Sequence, residues 1–410
     1  MPCARRNRKC GLARRRLPVP AALLAALSLS AALLAGCDGA VANADDAARP
    51  SSRDGASSAS TAQGTSCNAT PASMTPPGYA ADRSTPLERA QPALQRVRDL
   101  PLPGRAARFD YQGVDSAARR LYISHMGDDH LVVVDLDSAR VVANVGGIAS
   151  PTGVLAVPPR HTVYVSAPGR HEVVAVDDRT LAVTARIGGI RFPDGIAYAP
   201  TEQAVFVSDE SGGADMVIDT RTNVRRRTIA LGGEAGNTHY DPVSRCILVA
   251  VQTRNQLVAI DPATERVVRR YDLPGSDHPH GFTLDIPGRL AFVSSEGNDV
   301  LQVLDLRTMQ VLATYRVGED PDVLAWDAAW RRLYVASEGG VVSIFDAAGD
   351  SLRPVGEIRA PHAHTVAVDP ATHRVYLPLQ SVNGRPVLRI LAAAGPGAPG
   401  RAPARTARYP

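Results

Sequence analysis

The sequence offers little material for long helices or for covalent catalysis. Aromatic residues make up 5% of its 410 positions, whereas 34 glycines and 32 prolines favour turns. There is no Gly-x-Ser-x-Gly elbow, no phosphate-cradling glycine loop and no His-Glu-x-x-His, so the common signatures of serine hydrolases, P-loop proteins and zincins are missing. The five cysteines have no zinc-type spacing. The apolar run at 21–34 is too short for a membrane-spanning helix. The net charge of +4 is small and much of it lies near the N-terminus. Arg225-Arg226-Arg227 falls on a predicted outer strand in uncharged surroundings, which suits a protected strand edge, and no nucleic-acid partner is expected.

What is present at the N-terminus reads as an address. Arg5, Arg6, Arg8, Lys9, Arg14, Arg15 and Arg16 precede the apolar run, and small residues follow it, as in an export signal. Leu34-Ala35-Gly36-Cys37 resembles the lipobox of bacterial lipoproteins. That resemblance implies a signal peptide over 1–36 and a lipid on Cys37 that ties the mature chain to the periplasmic side of a bacterial membrane. Asp38 favours the inner membrane by the rule of some Gram-negative lineages. Residues 37–92 are rich in Ala, Ser, Thr, Pro and Asp with almost no apolar periodicity, and read as a disordered tether. The Pro/Gly-rich 394–410 read as a disordered tail. Cys3 and Cys10 leave with the signal, so Cys67 and Cys246 remain. One lies in the tether and one in a predicted strand, and a buried free thiol at Cys246 is expected over a bridge.

Between these ends the chain repeats itself. An Asp closes an apolar run at 135, 177, 219, 261, 305 and 346, in steps of 42, 42, 42, 44 and 41. A second column, Tyr122, Tyr164, Phe206, Leu248, Phe292, Tyr334 and Tyr376, keeps the same spacing and counts seven copies. Each copy holds four short β-type runs separated by turn residues, the pattern of a propeller blade. The predicted fold is all-β: a seven-bladed β-propeller of four-stranded antiparallel blades over 93–393. The seventh copy lacks a fourth run, while ALQRVRDLPLPG at 93–104 matches the outer run of the fourth copy. The last blade is therefore predicted to be closed by the N-terminal strand, which removes an exposed edge.

Units such as PDGIAYAPTEQAVFVSDESGGADMVIDTRTNVRRRTIALGG, with Pro-x-Gly, an aromatic-Val-Ser end, Val-x-Asp and Thr-x-x-Val, resemble the YVTN-type propeller repeat. The resemblance covers all seven copies, none of them perfect, and implies an exported propeller with little said about chemistry.

The repeat also sorts the loops onto two faces. One is rich in acids and carries seven of the ten histidines; the other is balanced, with Asp-x turns of ordinary turn chemistry. HPHGFTLD at 278–285 recurs as HAHTVAVD at 362–369, which places His280 and His364 in one column at the mouth of the central channel. Asp110, Gly153, Asp194, Gly236 and Asp322 are assigned to the same column. Alternation along a strand would put His278 beside His280 and His362 beside His364. Imidazoles and carboxylates in a ring are ligands for a divalent cation such as Zn²⁺, Cu²⁺, Ni²⁺ or Ca²⁺. The plainer alternative is a wet funnel whose polar residues only cap strands.

Two function classes follow. One is a lipid-anchored periplasmic binding or scaffold module, monomeric, whose acidic His-bearing face holds a divalent metal, a small molecule or a partner protein. The other is an enzyme at the hub, either a metal-assisted, lactonase-like hydrolase with Asp194 or Asp322 as base or a redox protein.

Overall fold

The computed structural model describes residues 94–393, together with Cys67 and the backbone of Ala81–Asp82. The predicted signal peptide, Cys37, the remaining tether and the tail lie outside the described residues. Seven antiparallel sheets follow one another along the chain, at 112–146, 154–188, 193–230, 235–272, 279–316, 321–359 and 367–393. Their innermost strands touch in sequence, and the seventh returns to the first, closing a ring. The predicted closure is present: Leu94–Pro101 pairs antiparallel with Arg385–Ala393 as the outer strand of the seventh blade. Arg389 fastens it by donating to both carboxylate oxygens of Asp99 at 2.9 and 2.8 Å.

The repeat forms strands because each unit alternates apolar residues on both faces of a sheet that is buried between two neighbours. Tyr122, Tyr164, Phe206, Phe292, Tyr334 and Tyr376 are all buried on second strands and fill the wedges between blades. Each such ring is worth roughly 1.5–3 kcal/mol of burial. At some copies the inner strands come too close for a side chain. A Cβ on Gly153 would collide with the Asp194 carbonyl oxygen, and one on Gly281 with that of Asp322, so glycine there lets adjacent inner strands approach.

The balanced face is clasped from blade to blade. Arg119, His161, Gln203, Arg245, Arg289, Arg331 and His373 stand at one repeat position, all with φ between 48° and 58°. Four of them reach back to the Asp that ends the inner strand of the preceding blade. Arg119 pairs with Asp369 through two 2.8 Å bonds and Arg289 with Asp241 through two at 2.7 Å. Arg331 lies 3.3 Å from Asp285 and His373 Nδ1 2.7 Å from Asp327. The turn aspartates thus do more than cap turns: Asp369 joins the last blade to the first.

Cys67 and Cys246 form a disulfide, which corrects the expectation of a free thiol at Cys246. The Cys67 sulfur is buried beside the Ile260 carbonyl in the fourth blade, and Ala81–Asp82 adds a parallel strand to the outer edge of the fifth. Parts of 37–92 are therefore seated on the ring. The sequence could not show this, because a bridge depends on where 67 is carried in space.

Deleting 94–101 leaves Arg385–Ala393 as an exposed edge and removes the Asp99–Arg389 pair. The variant is expected to unfold at a clearly lower temperature than the full chain or to aggregate; an unchanged midpoint would show that the ring closes without this strand. A second prediction comes from Asp215, whose repeat position elsewhere holds Leu131, Val173, Leu257, Leu301 and Val342, all buried. Both Asp215 oxygens lack a hydrogen-bond partner, and burial pushes its carboxyl from 3.8 up to about 8. The folded state then holds a proton that the unfolded state releases, so stability falls as pH rises from about 4 to about 8. Asp215→Val should stabilise the fold by about 2 kcal/mol or more at pH 8 and less at pH 5, measured by urea denaturation. An equal effect at both pH values would contradict the assignment.

Candidate functional site at the propeller hub

The start of each inner strand lies at the mouth of the axis, and the repeat brings residues 42 or 44 apart face to face there. Asp110, Asp194, His280, Asp322 and His364 all converge on one cavity of about 320 Å³. The member from the second blade is Thr152, which corrects Gly153: Thr152 lines the cavity and donates to the Pro193 carbonyl at 2.9 Å, while Gly153 lies one step further in.

His278 and His362 do not join this cavity. Each has a left-handed backbone, with φ of 52° and 60°, as does Asp320 at 52°. Strand alternation holds only for extended residues, so the turn just before the strand aims both imidazoles elsewhere. His278 Nδ1 is 2.8 Å from Asp277 on the exposed rim, and His362 lines an adjoining pocket with Gln380, Arg108, Glu338 and His364, the last three shared with the hub cavity. Neither lines the main hub cavity.

Further residues line the site beyond those the sequence singled out. Glu210, Glu296 and Glu338 line the cavity and occupy one repeat column with Met126, Pro168, Gln252 and Gln380, four residues beyond the buried Tyr/Phe column. That offset was readable in the sequence, but it becomes informative only once the ends of the second strands are known to reach the axis. Tyr111 is another. It follows Asp110, and nothing in the sequence marks it, because every other copy has a different residue at its place.

Asp322 sits between the two imidazoles. His364 donates from Nε2 to Asp322 Oδ2 at 2.9 Å and from Nδ1 to Glu338 at 2.8 Å, with Asp110 3.4 Å from Nε2. Burial disfavours a charge on His364, yet Asp322 and Asp110 outweigh it and raise its pKa well above the ordinary value. His280 is held differently. Its Nε2 is 3.1 Å from the Tyr111 hydroxyl, which donates to Asp194 at 3.0 Å. Asp322 Oδ1 is 3.4 Å and Asp194 3.6 Å from the same nitrogen. Burial again opposes its charge, but Asp322, Glu296 and Asp194 raise it to about 9. Burial also lifts Asp194 to about 8 and Glu296 to about 7, in each case against the pull of His280. On Asp322 burial is overcome by His364 and His280, which hold the carboxyl below its usual range.

Two polar atoms in this network lack a hydrogen-bond partner although their residues are more than nine-tenths buried: His280 Nδ1 and Asp322 Oδ1. Glu296 is 3.8 Å from that Nδ1, too far for a hydrogen bond. Buried polar atoms are normally satisfied, so the pair points to something outside the chain. Arg108 is the lone arginine or lysine lining the cavity. Its Nη2 lies 2.9 Å from Glu338 and 3.1 Å from each ring nitrogen of His364. The described residues contain two sets of three groups able to hold a cation, His280–Glu296–Asp322 and Asp322–Glu338–His364, with ligand atoms within 4.8 Å of one another.

No family model matches the chain, and no curated protein matches it. Solved structures do: 1730 chains match. One of them belongs to the Hydrazine Synthase of Kuenenia stuttgartiensis, to which the chain is similar with a TM-score of 0.59 and 18% identity over 71% of this chain and 96% of that one. At that identity the likeness shows the fold and says nothing of chemistry.

Proposed function

We propose that this chain is an exported, lipid-tethered propeller of the YVTN type that serves as a binding module, and that its hub holds a divalent cation. The observation that carries the reading is the imbalance in the cavity, where six carboxyl groups face one guanidinium and two imidazoles. Protons on His280 and His364 offset part of that charge, and a metal ion can take their place. The mix of imidazole and carboxylate suits Zn²⁺ or Cu²⁺; Ca²⁺, which takes oxygen ligands, fits less well. The Cys67–Cys246 disulfide supports the exported address, since such bonds persist in oxidising compartments. Lipid on Cys37 and the periplasmic side of the inner membrane rest on the sequence around the lipobox-like stretch.

The cavity is larger than an ion needs, and Asp194 and Glu296 titrate near neutral pH, the range a general acid or base requires. These observations favour metal-assisted, lactonase-like hydrolysis as the second reading. It would be tested by turnover of simple lactones and esters by the zinc-loaded protein, and activity unchanged in Asp194→Asn would count against it.

Elemental analysis of the tag-free, full-length protein tests the first reading. At least one equivalent of zinc or copper is expected, lost in the double variant His280→Ala, His364→Ala and kept in His278→Ala, His362→Ala, each with unchanged circular dichroism. A wild-type protein that is metal-free and takes up neither added ion would contradict it.

A further inference from the structure

The two cation-holding sets share Asp322 but differ in what already stands beside them. At Asp322–Glu338–His364, the chain supplies its own cation: Arg108 bonds Glu338 and lies against both nitrogens of His364, whose own N–H groups are given to Asp322 and Glu338. Asp322 Oδ2 is used there. Arg108, the one Arg or Lys lining the cavity, pairs with Glu338 and Asp110 and not with His280 or Glu296. The two orphaned atoms, His280 Nδ1 and Asp322 Oδ1, are on residues of the set His280–Glu296–Asp322, with Glu296 3.8 Å from Nδ1 and Asp322 Oδ1 3.4 Å from Nε2. The opposite edge of the His280 ring is already fixed, because Nε2 meets the Tyr111 hydroxyl and Tyr111 donates to Asp194. A metal-bound imidazole is held in just this manner, with one nitrogen on the metal and the other on an orienting hydrogen bond.

Resting on the reading of the hub as a divalent-cation site, we infer that the protein binds one metal ion, at His280–Glu296–Asp322, and that Arg108 fills the sister position at His364 as a built-in cation. Tyr111 is a positioning residue for the His280 ring. Arg108 is then a determinant of stoichiometry: its guanidinium neutralises Glu338 and Asp322 where a second ion would otherwise bind between them, and like-charge repulsion excludes that ion.

Equilibrium dialysis of the full-length protein against Zn²⁺ alone tests this. The wild type should hold one equivalent and Arg108→Met two. His280→Ala should lose the wild-type ion, and His364→Ala should keep one. Tyr111→Phe should keep one equivalent but weaken it about tenfold, the lower end of what loss of an orienting partner costs. Two equivalents in the wild type, one in Arg108→Met, or an ion retained by His280→Ala would each overturn the inference while leaving the hub a metal site. No zinc in any variant would instead defeat the underlying reading. If Arg108→Met fails to fold, the contrast between His280→Ala and His364→Ala decides alone: loss in the first only supports the assignment, and loss in the second only reverses it.

Discussion

Seven copies of one unit meet at a single axis, so whatever residue the repeat places at the start of its inner strand is set against its six equivalents. This constraint governs the rest of the molecule. Where inner strands press closest it requires glycine, as at Gly153 and Gly281, because a Cβ there would strike the neighbouring strand. At the mouth it concentrates charge. Asp110, Asp194 and Asp322 could not all stand ionised in a buried ring without compensation. The chain supplies it with His280 and His364 in the same column, with Arg108 beside it, and with burial that pushes Asp194 and Glu296 toward their neutral forms.

The two faces of the ring divide the work of stability and chemistry. On one, Arg119, Arg289, Arg331 and His373 each take the turn aspartate of the blade before, and every such carboxylate has a partner at hydrogen-bonding or ion-pair distance. Together with the N-terminal strand on the seventh blade, these pairs hold the ring shut. On the other face the carboxylates outnumber their partners, and buried polar atoms are left over at His280 and Asp322. A propeller held from one side can keep an unsatisfied site on the other, which is where binding residues are to be sought.

The fold was legible in the sequence because the repeat carries it. Spacing alone gave the blade count, and the match of 93–104 to the fourth outer strand gave the closure. The hub column was legible for the same reason, and Asp110, Asp194, His280, Asp322 and His364 stand together as the spacing required. The errors have local causes. Strand alternation fails at His278 and His362 because both have left-handed backbones, and the 42-residue step from Asp110 falls on Thr152, one residue before Gly153. Glu210, Glu296 and Glu338 share a column that the spacing contains, but their approach to the axis depends on where the second strands end. Tyr111 belongs to a single copy, so no repeat could point to it. Cys67 was invisible as a partner of Cys246 because its position depends on the path of a segment with no periodicity.

The central claim is that the crowded hub is a place for a divalent cation, and an anomalous difference map from zinc-soaked crystals of the full-length protein tests it most directly. The account predicts one peak at the hub, within bonding distance, about 2.0–2.2 Å, of His280, Glu296 and Asp322, with Arg108 still on Glu338. A hub without a peak, or zinc found only on the rim at Asp277 and His278, would contradict it.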